Sequence, residues 1–187
     1  MLTVILTGGS SRRMGRDKAL LPFGGSTLMQ TLIDRYAACG TVGVSVDRAE
    51  RFPFENALEL VDEYPGQGPM NGILSGFHKT DASELLLTAV DLPYGDPALA
   101  LRLREMRADA DVCVLRRGPK GIEPLFALYG RSCADVAEDC LRSGRKSLFA
   151  LYDRVKVRYV APEELPEFDL AHIFTNVNTP QDYLMLK

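Results

Sequence analysis

Apolar positions along the chain follow two alternating periods. Short, nearly continuous apolar runs at 3–6, 42–46, 58–61 and 84–90 read as buried strands, and between them apolar residues recur at helical spacing. The clearest helical stretch is 27–39, where Leu28, Leu32, Ile33 and Tyr36 share one face and Gly40 is placed to stop the helix. A second helix is predicted over 73–79, fed by the Gly- and Pro-rich loop 64–72. Asp96-Pro97 supplies an N-cap and a first-turn proline for a helix reaching about residue 107. Further strands are expected at 111–115, 123–129 and 156–160. A helix over 132–142 carries Val136, Cys140 and Leu141 on its apolar face, and a short helix starts at Thr179-Pro180.

This alternation predicts an α/β fold, a three-layer sandwich whose mostly parallel, Rossmann-like sheet has helices on both faces and right-handed crossovers. No linker, repeat or low-complexity tract interrupts it, so one domain is expected over 1–187. A chain of this length buries roughly 70% of its unfolded surface, enough for a substantial core. In such sheets ligands bind beyond the carboxyl ends of the strands, which is where unusual residues should collect.

They do collect there. The first strand is followed by Thr7-Gly8-Gly9-Ser10-Ser11-Arg12-Arg13-Met14-Gly15-Arg16-Asp17-Lys18. Glycines let a backbone approach phosphate oxygens and aim its N–H groups at them, and Arg and Lys neutralise the charge, so the segment reads as a polyphosphate cradle. Neither G-x-x-x-x-G-K-[ST] nor G-x-G-x-x-G is present, which speaks against a P-loop GTPase and a dinucleotide fold. Asp91, held by Leu92-Pro93 after the most apolar strand, is placed to bind Mg2+ together with phosphate oxygens and water. Asp62 ends another strand, although an Asp before a turn is ordinary. In Asn176-Val177-Asn178-Thr179-Pro180, alternation along an extended stretch puts Asn176 and Asn178 on one side, where one could bind a ligand or cap the last helix.

Composition narrows the function classes. With 22 Lys plus Arg against 25 Asp plus Glu, the formal charge of -3 argues against a broad electrostatic grip on nucleic acid or on anionic membrane. That average hides a local +3 between residues 12 and 18, so the remainder sums to -6. No apolar run approaches the roughly twenty residues of a membrane helix, and the first residues lack a signal-peptide pattern, so a cytoplasmic protein is expected. Cys39, Cys113, Cys133 and Cys140 form no C-x-x-C pair and are expected to be reduced and buried.

Together, the blocks at 6–18, 62–72 (D-E-Y-P-G-Q-G-P-M-N-G), 90–93 (V-D-L-P) and 176–182 (N-V-N-T-P-Q-D) resemble the molybdenum cofactor guanylyltransferase family, over the whole chain and in order. The resemblance implies transfer of GMP from GTP to the molybdenum-pterin cofactor, with release of pyrophosphate and Mg2+ as cofactor. It implies that Leu6, Thr7 and Gly8 hold the base and ribose end, and that Gly9, Arg13 and Lys18 belong to the phosphate loop. Asp62 then lies near the guanine, Gly68 and Gly72 in the loop that closes over it, Asp91 on the metal, and Asn178 near the reacting phosphate with Asn176 beside it on the acceptor side. Arg13, Lys18, Asp91 and Asn178 are the implied catalytic residues, and transient contact with cofactor-synthesis or acceptor proteins is a further implied partnership. The chain departs from the family at Thr7, usually Ala, at Val90, often Cys, and at Ser45, an asparagine in some members. The alternatives are a nucleotidyltransferase using CTP or another phosphorylated acceptor, and a non-catalytic nucleotide-binding partner protein. Arg116, Arg117, Lys120 and the 144–146 turn are the basic residues available to an anionic acceptor.

Overall fold

The computed structural model describes residues 1–8, 17–118 and 121–186. Its strands are β1 (Leu2–Leu6), β2 (Pro22–Phe23), β3 (Ser26–Thr27), β4 (Thr41–Val46), β5 (Leu58–Val61), β6 (Glu84–Ala89), β7 (Val112–Arg117), β8 (Gly121–Gly130) and β9 (Val157–Val160). The helices are α1 (Leu28–Tyr36), α2 (Met70–His78), α3 (Pro97–Arg107), α4 (Cys133–Arg142), α5 (Leu148–Tyr152), α6 (Leu170–Ile173) and α7 (Pro180–Leu184). Seven strands form one sheet in the order β5-β4-β1-β6-β8-β7-β9, and β2 and β3 form a separate hairpin. The β5, β4, β1 and β6 ladders are parallel, as is β7 with β9, while β8 runs antiparallel to both of its neighbours.

Two apolar clusters sit on opposite faces of the sheet, which makes the three layers. Ile5, Val44 and Leu86 meet Leu28, Leu32 and Ile33 of α1 and Leu99 and Leu103 of α3 on one face. On the other, Val4, Leu6 and Leu87 meet Met70, Ile73, Leu74 and Phe77 of α2, with Ala137 and Cys140 of α4 and Leu151 of α5 completing the layer. Successive strand residues point to opposite faces, so β1 and β6, covered on both sides, read as unbroken apolar runs. Each fully buried Leu, Ile or Phe contributes about 1.5–3 kcal/mol of transfer free energy, and a one-residue slip would exchange the two faces.

Local chemistry sets the helix ends. Asp96 accepts the Ala98 N–H at 2.7 Å with Pro97 in the first turn, and Thr27 accepts the Gln30 N–H at 3.1 Å. A reciprocal box starts α7, with Asp182 N–H donating to Thr179 Oγ1 at 3.2 Å and Thr179 N–H donating to Asp182 Oδ2 at 2.8 Å. The expected start of α2 is corrected from residue 73 to Met70, because Pro69 occupies the N-cap and the supposed loop residues Met70, Asn71 and Gly72 are buried. The strand expected at 123–129 is the longer β8, whose register against β7 shifts between Val114 and Arg116. The four cysteines are free and buried, as expected. No helix among the described residues is long and apolar enough to cross a membrane.

Candidate active site

The site begins where β1 ends. The Leu6 carbonyl accepts the Val90 N–H at 2.9 Å, which ties the ends of β1 and β6 together. Buried Thr7 donates its hydroxyl to the Ser45 carbonyl at 2.8 Å, Ser45 Oγ donates to Asp62 Oδ1 at 2.7 Å, and the Asp62 N–H donates to the Val46 carbonyl at 2.8 Å. This relay joins the ends of β1, β4 and β5. The extra hydroxyl of Thr7 is therefore engaged within the fold rather than projecting over the loop. Burial pushes the Asp62 carboxyl above its ordinary range, opposed by the Ser45 hydrogen bond. Gly8 has φ +79°, a left-handed conformation that favours glycine. Gly9 and Arg13, with the rest of 9–16, lie outside the described residues.

The loop 64–69 is held by Asn71, a fully buried side chain that accepts the Tyr64 N–H at 3.0 Å and donates to the Tyr64 carbonyl. Sequence reasoning missed this residue; an amide set among apolar helix positions was the available signal. Gly68 turns this loop at φ +84°. Gly72 lies beneath it in α2 and not in the loop, which corrects its expected placement. A Cβ on Gly72 would lie 2.5 Å from Leu6 Cδ2 and 3.3 Å from Leu87 Cδ1, so its absence lets α2 lie close against β1. A Cβ on Gly68 would meet the Lys146 carbonyl at 3.6 Å, so the basic 144–146 turn belongs to this side of the site.

Across the sheet, three predicted residues converge. Lys18 opens a 3-10 turn, Lys18–Leu20, and its Nζ donates to Asn178 Oδ1 at 3.0 Å. Val177, next to Asn178, donates its N–H to the Asp91 carbonyl at 3.0 Å, which fixes the Asn segment beside the end of β6. Asp91 Oδ1 is buried and has no hydrogen-bond partner among the described residues. Burial raises the Asp91 carboxyl, and the positive charge of Lys18 opposes that rise. No group of three or more His, Cys, Asp or Glu side chains among the described residues could hold a metal. A single buried carboxylate with an unpartnered oxygen suits an ion such as Mg2+, which takes one or two protein carboxylates and completes its shell with phosphate oxygens and water. Asn176 is not drawn to Lys18: its Nδ2 donates back to the Phe174 carbonyl at 3.1 Å.

Three further charged contacts were not expected. Arg51 donates to Asp17 Oδ2 at 2.9 Å and pairs with Asp47 Oδ1 at 2.9 Å, bracing the residue before Lys18. Glu123, at the start of β8, pairs with Arg117 at 2.9 Å. The β6–β8 ladder ends at Leu87↔Ala127, and continuing its register sets Asp91 opposite Glu123. Burial raises the Glu123 carboxyl, Arg117 opposes this, and the charge of Asp91 adds to it. A charged residue inside an otherwise apolar strand pattern was the only sequence signal for Glu123.

The family model described as "MobA-like NTP transferase domain" matches residues 3–157. A Carboxydothermus hydrogenoformans protein named "Probable molybdenum cofactor guanylyltransferase" is 36% identical over 97% of this chain and 93% of its own length. A Pelotomaculum thermopropionicum protein of the same name is 34% identical over 96% of this chain and 88% of its own length. The crystal structure of molybdopterin-guanine dinucleotide biosynthesis protein A from Archaeoglobus fulgidus superposes with a TM-score of 0.84 over 100% of this chain and 96% of that one. At 24% identity it speaks for the fold alone.

Proposed function

This chain belongs to the MobA-like NTP transferase family, and from that premise we infer that it transfers the guanylyl group of GTP to the terminal phosphate of molybdopterin, releasing pyrophosphate. The observation that carries the reading is the convergence of Lys18, Asp91 and Asn178 beyond the strand ends, beside the Thr7–Ser45–Asp62 relay. A triphosphate laid from the relay toward Lys18 would have its base end near β4 and β5 and its phosphates between β1 and β6.

The acceptor is already an anionic phosphate, so the reaction needs no strong general base and no protein nucleophile. An acceptor oxygen bonds to the α-phosphorus, the bond from that phosphorus to the α–β bridging oxygen breaks, and the electron pair leaves on pyrophosphate. The work of the protein is positioning and charge neutralisation. Asp62 and the loop that Asn71 clamps hold the guanine end. Lys18, directed by Asn178 and braced through Asp17 and Arg51, neutralises charge on the departing phosphates, and Arg13 extends the cationic loop. Asp91 would hold Mg2+, which supplies charge neutralisation on the triphosphate when bound. The reading places the reaction in the cytoplasm, with transient contact to cofactor-synthesis or acceptor proteins as its further expectation.

The test is a nucleotide panel with Mg2+ read by thermal shift, combined with pyrophosphate release in the presence of molybdopterin. GTP should raise Tm more than CTP, ATP or UTP and should give pyrophosphate. Tight Mg-CTP binding with negligible Mg-GTP binding would overturn the nucleotide assignment. GTP binding without pyrophosphate release would mark a non-catalytic binding protein.

A further inference from the structure

The turn that follows Asp91 is gripped from several sides. Two overlapping hydrogen bonds shape it: the Leu92 N–H donates to the Ala89 carbonyl at 3.0 Å, and the Gly95 N–H to the Leu92 carbonyl at 3.1 Å. Helix α1 holds its far half, where the partly buried Arg35 guanidinium donates to the Pro93 and Gly95 carbonyls. A Cβ on Gly95 would collide with Tyr36 Oη, so glycine is what lets the turn settle on that buried ring. With both carbonyls held and the glycine closely packed, the Tyr94 ring between them is carried on a fixed base.

That ring touches both ends of the chain. It lies against the His172 ring of α6, with centroids 4.2 Å apart and planes tilted by 31°, and it meets the Phe23 ring of the β2–β3 hairpin edge-on at 5.8 Å. Its hydroxyl donates to the Leu186 carbonyl, beyond α7, at 3.2 Å. The two ends are also tied to each other, since Tyr183 Oη of α7 donates to the Pro22 carbonyl at 2.7 Å. Lys18 lies just before the hairpin, Asn178 lies between α6 and α7, and Asp91 lies at the start of the turn. The three residues that converge in the candidate site are thus carried by three segments, and Tyr94 belongs to one of them and touches the other two. The bond from Lys18 to Asn178 is exposed, so it is held by the segments that carry it more than by its own strength.

We propose that Tyr94 is a positioning residue for the reaction, a strut whose ring and hydroxyl fix the Lys18 and Asn178 segments against the end of β6, so that a triphosphate held at Lys18 meets Asp91 in one alignment. The inference rests on the guanylyl-transfer reading for what is transferred. Tyr94 acts through those segments and not on the reacting atoms. A displacement of about 1 Å can lower a rate roughly a hundredfold while ground-state binding is spread over many contacts, so loss of the strut falls on kcat more than on KM.

The test measures kcat and KM for Mg-GTP by pyrophosphate release at saturating molybdopterin, the Tm of each variant, and the nitrogen-15 side-chain amide signal of Asn178 without nucleotide, assigned by its loss in Asn178→Asp. Tyr94→Ala should lower kcat by roughly tenfold to a hundredfold, change KM for Mg-GTP by less than about threefold, and shift the Asn178 signal. Tyr94→Phe keeps both ring contacts and gives up the bond to Leu186, so it should recover most of kcat. In a Lys18→Ala background, Tyr94→Ala should lower kcat by less than about a further threefold, because the contact that the strut aligns is already gone. A side chain that merely stabilised the fold would lower Tm and leave the two losses multiplying. His172→Ala removes the stack from an exposed neighbour and repeats the test with less risk to folding: it too should lower kcat, and its loss should not multiply with that of Lys18→Ala. Wild-type kcat and an unmoved Asn178 signal in Tyr94→Ala, or losses that multiply in the double variants, would overturn the assignment. Wild-type protein that releases no pyrophosphate, with the Asn178 signal still displaced in Tyr94→Ala, would uphold the strut and refute guanylyl transfer instead.

Discussion

Replacing Asp91 by Asn should move stability in opposite directions with and without nucleotide. In the nucleotide-free protein Asp91 is a partly buried carboxylate with an orphaned oxygen, and burial raises its pKa above the ordinary 3.8. A carboxyl whose pKa is raised by folding carries no penalty below 3.8, where it is protonated in both states. It costs stability as the pH climbs through its folded value. Above that folded value the wild-type chain bears the cost in full, and the neutral amide removes most of it. The attraction to Lys18 is lost at the same time, but it is the smaller of the two effects. A net gain of about 1 kcal/mol follows, because a neutral amide costs less to bury than a carboxylate, and it corresponds to about 2–4 °C in Tm for a domain of this size. The gain should shrink as the pH falls toward 3.8. With Mg-GTP at about 100 times its Kd, the wild type should gain about 2.7 kcal/mol and rise by roughly 5–11 °C, whereas Asp91→Asn should rise little and lose guanylyl transfer. Thermal melts at pH 7 and pH 5, with and without Mg-GTP, should therefore cross. A variant less stable than wild type without nucleotide, or one stabilised equally by Mg-GTP, would refute the reasoning.

Lys18→Ala and Asn178→Ala should each reduce kcat/KM for GTP by about tenfold or more, and the double variant should lose less than the product of the two, since each removes the same 3.0 Å contact; a double-mutant cycle of kcat/KM reads the coupling directly. Gly72→Val should destabilise by about 1–3 kcal/mol, because its Cβ would already stand 2.5 Å from Leu6 Cδ2, and the displaced end of β1 should weaken GTP binding as well. Urea unfolding together with nucleotide titration checks both halves.

Long amphipathic segments were legible because burial enforces their period. The face Leu28, Leu32, Ile33 and Tyr36 is buried throughout, and Asp96-Pro97 opens α3 as its chemistry requires. Helices of five residues or fewer, such as α5 and α6, and the two-residue strands β2 and β3 are too short to display a period. The direction of β8 was invisible because alternation is the same read either way along a strand. In the site, Asp91 stood out as a carboxylate closing an apolar run, and Lys18 as the end of a glycine- and arginine-rich loop. Arg51 and Glu123 did not stand out, since each acquires its meaning from a partner brought near by folding. The spacing of the asparagines at 176 and 178 predicts a pair on one side, yet local bonding turns the amide of the first to the Phe174 carbonyl, and of the two the second meets Lys18.

The contact between Lys18 and Asn178 joins residues 160 positions apart. On a ribosome the lysine is made early and has no asparagine to meet until translation has passed residue 178, whereas the Thr7–Ser45–Asp62 relay can close once residue 62 has emerged. A growing chain can therefore close the relay long before it can set Lys18 against Asn178. On the proposed role of that contact, an incomplete product is expected to be a poor catalyst even where it binds nucleotide, and so is a chain trimmed before residue 178.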